Sequence, residues 1–294
     1  MKRILYRIYY KFCWLKKRIL LQMGQIFYIR SAYKNLFGEE ISLNPPRNFA
    51  EKIQWLKLYD HNPKIIEYAD KFAVREHVKN LVGENYLIPL IAVWSTVSEI
   101  DFDLLPDSFV IKPNNSSGRV LICKDKKLLD RKVAYRIIEK WQKENLTKET
   151  GEWFYEKIPY KIICEKFLAD DISDYKLYFA GGKFICTQVI AGRHSHNKTY
   201  TYYDENWNLL PIVRYGMPRT SELQTMPQKY KEMIELAKKL AADFNFMRVD
   251  LYYENDNIYF GELSFYPNNG FVRYQTDEMD EFFSSKLILP IATE

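Results

Sequence analysis

The sequence predicts a mixed α+β protein. Two pairs of short apolar runs joined by turn-forming residues read as β-hairpins, at residues 175–191 and 246–265. Helical stretches punctuated by Asn-Pro steps occupy the first third of the chain. Single short strands, such as residues 108–112, lie between these blocks.

The elements follow in order. Residues 1–30 read as one helix, because Ile4, Ile8, Phe12, Leu15 and Ile19 recur at spacings of three and four. Arg3, Arg7, Lys11 and Arg18 form a basic stripe beside them. Such a helix can lie on an anionic membrane surface or pack its apolar stripe on the body. After Asn44-Pro45-Pro46 come helices over 49–59 and 64–81, separated by Asn62-Pro63. A polar loop at 113–118 follows the strand ending at Lys112, and 121–124 reads as a returning strand. A helix over 130–145 and a strand over 160–165 come next. Gly181-Gly182 marks the first hairpin turn. Residues 192–227 are loop-rich, and a helix over 228–244 precedes the last hairpin.

Composition narrows the function. The chain has 294 residues, 47% of them hydrophobic and 28% charged, which is ordinary for a globular protein with a sizeable core. The net charge of +5 is uneven: residues 1–34 hold nine basic and no acidic residues, so +5 less +9 leaves the rest at −4. A mildly acidic body argues against nucleic-acid binding. Cys13, Cys123, Cys164 and Cys186 are scattered, which fits neither a disulfide framework nor a zinc site and suits a reducing compartment. No signal peptide and no run of 18 apolar residues is visible.

Chemistry concentrates in the last hairpin. Side chains alternate along a strand, so Arg248, Asp250 and Tyr252 share one face, as do Phe260, Glu262 and Ser264. A three-residue turn at Asn255-Asp256-Asn257 places Asp250 opposite Glu262. Two carboxylates that close repel unless a cation lies between them, and an oxygen-only donor set suits magnesium. The stretch "FVIKPNNSSG" suits phosphate binding: Lys112 supplies charge and the Ser/Gly loop supplies backbone N–H groups. The strand ending "IICEKFL" offers backbone hydrogen bonds to an adenine edge.

Taken in order, these segments resemble the ATP-grasp superfamily, and within it the TupA-like family associated with teichuronopeptide and surface-polysaccharide synthesis. The likeness rests on "YADKFAVREHV", "FVIKPNNSSG", "CEKFL", Asp174-Tyr175-Lys176, "MRVDLYY" and "YFGELSFYPNNG", from about residue 44 to 270. The resemblance implies an ATP-grasp fold with two α+β lobes clamping ATP. Residues 1–38 would be a helical extension, 39–107 an N-terminal region, 108–168 the small lobe and 169–294 the C-terminal lobe.

It also implies roles. Lys71 and Lys112 would contact phosphates under a mobile loop of Ser116, Ser117 and Gly118. Glu165, Lys166, Phe167 and Leu168 would hold adenine, Asp174 would face the ribose, and Lys176 the γ-phosphate. Asp250 and Glu262 would hold Mg2+, with Ser264 a weaker ligand where the superfamily usually has asparagine. Arg248 would stabilise the tetrahedral intermediate, or else pair with Asp250 or Glu262, and Arg193 would contact substrate or phosphate. The implied reaction joins a carboxylate of a sugar or polysaccharide precursor to an amine such as an amino acid. It would take place in the cytoplasm, where residues 1–30 could bring the chain to the inner membrane face.

Rival readings find less support. A glycosyltransferase would use an acidic metal motif, and Asp101-Phe102-Asp103 matches one in letters without its strand context. A non-catalytic nucleotide-binding scaffold is disfavoured by intact Lys112, Asp250 and Glu262. His194 and His196 lack a third ligand for zinc at sensible spacing.

Overall fold

The computed structural model describes residues 15–17, 19–144, 147–170, 172–192, 199–217 and 223–290. Among the described residues, ten strands form two antiparallel sheets. The smaller has the order β1 (Leu90–Trp94), β4 (Ile162–Lys166), β2 (Phe109–Pro113), β3 (Leu121–Cys123). The larger has the order β10 (Asn257–Ser264), β9 (Phe246–Glu254), β5 (Asp174–Ala180), β6 (Lys183–Ala191), β7 (Thr199–Tyr203), β8 (Leu209–Leu210).

Each sheet has its own core. In the small sheet Phe109, Ile111, Leu121, Cys123, Ile162 and Cys164 pack on Ala134, Ile138 and Trp141 of the helix Arg131–Lys143. Strand alternation then turns Val110, Lys112 and Ile122 to the opposite face. The helix Tyr230–Ala241 covers one face of the large sheet, where the Tyr230 hydroxyl donates to Thr187 Oγ1 at 2.9 Å. The other face is covered at one end by the helices Phe49–Tyr59 and Asp277–Ser284, whose Phe49 and Phe283 rings lie 5.2 Å apart. The uncovered end faces the small sheet.

Three differences from the sequence reading matter. The N-terminal segment is not one helix: Gly24, at φ 126°, separates helical residues 19–23 from the helix Gln25–Phe37. The expected basic stripe of Arg3, Arg7, Lys11 and Arg18 lies outside the described residues. Of the expected apolar stripe, Leu15 and Ile19 are about half exposed rather than packed.

Residues 64–81 form two helices, Lys64–Ala69 and Val74–Leu81. The break occurs at Asp70, whose backbone is extended and whose Oδ1 accepts from Phe72 N at 2.8 Å and Ala73 N at 3.2 Å. An Asx turn of this kind offers the backbone an alternative to the helix. It turns Lys71 out of the helical path and into the cleft.

The last hairpin differs in its turn. Asn255 and Asp256, at φ 50° and 60°, form a two-residue turn, and Asn257 pairs with Glu254. That register runs to Phe260 opposite Leu251 and then shifts, leaving Gly261 as a bulge and Glu262 opposite Asp250.

Candidate functional site

A cleft between the two sheets is lined by Val110, Lys112 and Ile122 on one side and by Lys176, Asp250, Tyr252 and Glu262 on the other. The segment from Glu165 to Ala169 closes one wall, and Lys71 reaches in from the helix break.

The carboxylate pair forms one centre of charge. Asp250 is buried on β9, and the register puts Lys176 of β5 and Glu262 of β10 on either side of it. Arg248 is forked over Asp250, with Nε at 2.6 Å from Oδ1 and Nη2 at 2.7 Å from Oδ2. Lys176 also donates to Asp250 Oδ2. Glu262 accepts an ion pair from Lys71 at 3.1 Å, and Arg248 stands 3.8 Å away. Burial works to raise the Glu262 carboxyl, but Lys71, Lys176 and Arg248 outweigh it and hold it below the ordinary carboxylate range.

The second centre is Glu165. Its Oε2 pairs with Lys112 Nζ at 2.6 Å and its Oε1 with Arg75 Nη1 at 3.0 Å. Arg75 Nη2 also donates to the Ile88 carbonyl at 2.8 Å. The Glu165 side chain is therefore shared between Lys112 and Arg75. The Lys166 N–H is spent on the Pro89 carbonyl at 2.9 Å, so within 165–168 the backbone left for a base lies at Phe167 and Leu168. Together the two centres set five cations against three carboxylates, an excess of two positive charges inside a cleft. An enclosed excess of this sign concentrates anions.

The loop after β2 splits into an anchored and an exposed part. Asn114 donates to Asp70 Oδ1 at 2.8 Å and to the Pro159 carbonyl at 2.9 Å, and its own Oδ1 accepts from Lys161 N at 2.7 Å. Ser116 is buried, its hydroxyl 3.4 Å from the Pro113 carbonyl, and its own carbonyl accepts from Lys71. Ser117 and Gly118 are exposed at the mouth of the cleft, and Gly118 adopts φ 74° with open space around it. Ser116 thus belongs to the anchor and not to a loop over the cleft.

The other expected residues fall as follows. Asp174 is buried one register step from Lys176, opposite Tyr252. The Ser264 hydroxyl accepts from Arg248 Nη2 at 2.9 Å, so it orients the guanidinium beside Asp250. Arg193, with His194 and His196, lies outside the described residues. Asn269 follows β10 as part of a left-handed turn, accepting from buried Lys57 and donating to the Tyr28 hydroxyl at 3.2 Å. Asp101 and Asp103 sit in a surface turn, where Asp101 caps Asp103 N and Asp103 pairs with Arg131 at 2.5 Å. They are far from the expected setting of a metal motif, on an exposed edge of the small lobe.

Sequence reasoning missed Arg75, Asn114 and Gly261. Arg75 had a signal, since it lies four residues after Lys71 within "YADKFAVREHV". Gly261 had none, because a bulge is a property of the pairing.

The donor set fits a hard divalent cation. Asp250 and Glu262 present carboxylate oxygens into a cleft that suits phosphates, and magnesium is commonly held by one or two carboxylates plus phosphate oxygens and water. Among the described residues, no group of three or more acidic, histidine or cysteine side chains gathers to form a metal site, in the cleft or outside it, so phosphate oxygens and water would have to complete the coordination of such a cation.

A family model described as TupA-like ATPgrasp matches residues 51–288. Among solved structures, the chain is similar to D-alanine–D-alanine ligase from Bacillus anthracis complexed with ATP, at 16% identity and TM-score 0.41, covering 67% of this chain and 55% of that one. It is similar to D-alanine–D-alanine ligase from Helicobacter pylori at 13% identity and TM-score 0.43, covering 81% and 67%. It is similar to L-amino acid ligase from Bacillus licheniformis at 13% identity and TM-score 0.46, covering 80% and 53%. The chain spans little more than half the length of the first and third of these proteins. No curated protein matches it significantly by sequence.

Proposed function

The chain belongs to the TupA-like ATP-grasp family, and on that premise we propose that it is an ATP-dependent carboxylate–amine ligase. Its carboxylate substrate would be a bacterial capsular or cell-wall polysaccharide or a precursor, and its amine an amino acid or a similar compound. The observation that carries the reading is the cleft of five cations around three carboxylates, with Asp250 and Glu262 opposite each other at its floor.

In this reading a substrate carboxylate oxygen attacks the γ-phosphorus of ATP, and the bond to ADP breaks. The resulting acyl phosphate is attacked at carbon by the amine, which loses a proton as inorganic phosphate leaves. Lys71, Lys112 and Lys176 bind and neutralise the phosphates. Asp250 and Glu262 would hold magnesium, which supplies Lewis-acid stabilisation of phosphate charge when bound. Arg248, held by Asp250 and Ser264, stabilises the oxyanion that forms when the amine adds. Phe167 and Leu168 line the adenine end.

The test follows ADP release from magnesium–ATP in the presence of pooled uronic acids and amino acids. Release that requires both a carboxylate and an amine supports the ligase. ATP-independent release of UDP from a sugar nucleotide would sink it.

The N-terminal segment suggests where the substrate is met. Residues 1–34 carry nine cations and no acid. Leu15, Ile19, Met23 and Phe27 are exposed at four-residue steps. Among the described residues no helix is long and apolar enough to cross a membrane. We propose that the segment lies on the inner membrane face, each Lys or Arg contributing about 1 kcal/mol near an anionic surface. Unchanged binding to phosphatidylserine vesicles after deletion of residues 1–34 would disprove this.

A further inference from the structure

Next to the cleft stands a guanidinium that the ligase chemistry above does not use. After β8 the chain runs back along the sheet, where Arg214 forms an isolated antiparallel bridge with Tyr274. Tyr215 N donates to the Arg273 carbonyl at 2.9 Å, and Gln275 N to the Val213 carbonyl at 2.9 Å, which fixes both residues. Tyr274 is stacked on Phe283, with ring centroids 4.7 Å apart.

Arg214 lies over the site face of the large sheet. Its charge acts on Tyr178, Tyr202 and Tyr274, and Tyr178 is also reached by Arg248, its cross-strand partner. Tyr178 and Tyr202 are satisfied through Gln188: the Tyr178 hydroxyl donates to Gln188 Oε1 at 3.3 Å, and Gln188 Nε2 donates to the Tyr202 hydroxyl.

Two groups are left over. Among the described residues, buried Arg214 Nε has no hydrogen-bond partner, and the same holds for the Tyr274 hydroxyl. Among the described residues no carboxylate lies within ion-pair distance of Arg214, whereas Arg248 and Arg75 each hold one. Buried donors without partners are costly, and a charged one more so. A planar anion with two oxygens would satisfy both, since a guanidinium matches a carboxylate in a fork and a phenol adds one O–H donor.

We propose that Arg214, with the Tyr274 hydroxyl, is the anchor for a carboxylate of the co-substrate, on the sheet face shared with Arg248. The assignment rests on the ligase reading for the identity of the anion.

The test uses a chemical probe and does not need the natural substrate. The full-length protein is saturated with magnesium and the non-hydrolysable analogue AMP-PNP, then treated with phenylglyoxal, and modification of Arg214 is quantified by peptide mass. Arg214 should react, and D-glucuronate, L-glutamate or malonate should slow its reaction roughly tenfold while glucose does not. Tyr274→Phe keeps the ring stack and should reduce that protection several-fold without changing AMP-PNP affinity. The proposal is overturned if Arg214 does not react, if none of the three carboxylates protects it, or if inorganic phosphate alone does. Failure of AMP-PNP to bind, with carboxylate protection intact, would instead remove the ligase reading and leave the anion pocket standing.

Discussion

Glu262 stands opposite Asp250 because Gly261 bulges out of the pairing between them. The two-residue turn at Asn255-Asp256 would by itself place Gly261 opposite Asp250 and direct Glu262 to the other face of the sheet. One extra residue restores the register, and both carboxylates then enter the cleft. A β-carbon at Gly261 would meet Tyr252 Cε2 at 2.9 Å and the Asp250 carbonyl oxygen at 3.0 Å. Gly261→Ala is therefore expected to disturb the Asp250/Glu262 pair, lowering ATP turnover by at least tenfold and stability by about 1–3 kcal/mol. Steady-state kinetics and denaturant melts check both, and wild-type turnover would show that the bulge tolerates a side chain.

The two carboxylates should differ in what they do for stability. Asp250 is buried against Lys176 and Arg248, so Asp250→Asn takes away the carboxylate both buried cations bond to and leaves Glu262, 3.8 Å from Arg248, as the nearest one, which costs on the order of 3–5 kcal/mol. Glu262 is 29% exposed and its main partner is Lys71, so Glu262→Gln should cost clearly less. Both substitutions should abolish ATP turnover. Comparing their urea midpoints separates the roles, and equal losses would contradict the assignment of Asp250 as the structural hub.

In the ligase reading, Glu165 would act on nucleotide through Lys112, with which it is paired at 2.6 Å. Glu165→Gln removes the shared partner of Lys112 and Arg75, so the lysine is no longer held at the cleft wall. The KM for ATP should rise roughly tenfold, equivalent to about 1.4 kcal/mol, with kcat changed much less. A fall in kcat at unchanged KM would point to a role in the chemical step.

Asp280 sets a pH dependence remote from the site. Burial pushes its carboxyl up to about 6, despite the hydrogen bond it accepts from Phe49 N, and Glu281, Asp277 and Glu51 push the same way. The folded state therefore holds this proton more tightly than the unfolded chain, so stability falls as pH rises from about 4 to about 6. Asp280→Asn keeps an acceptor for Phe49 N and removes the buried charge. At pH 8 it should be more stable than the wild type by about 1–2 kcal/mol, after allowance for solvent screening. The gain should vanish below pH 4, and melts across pH 4–8 read it directly.

Much of the site was legible in the sequence because its residues lie on strands. Alternation alone places Arg248 and Asp250 on one face, and the apolar run before Lys112 marks a strand that ends at a cleft. The same local reading failed at 64–81, where helical periodicity runs through Asp70 although its side chain breaks the helix and frees Lys71. It also failed for Ser116 and Ser264: one is buried under the loop and the other is turned to Arg248.

By itself the sequence determined the elements, the faces and the chemistry of the donors, because these depend on residues two to four apart. The tertiary structure decided which donors meet. The Gly261 bulge, the division of Glu165 between Lys112 and Arg75, and the bridge that sets Arg214 beside Tyr274 all depend on contacts between distant segments. No local period encodes such contacts, since their energy exists only once the two sheets and the helix break are in place.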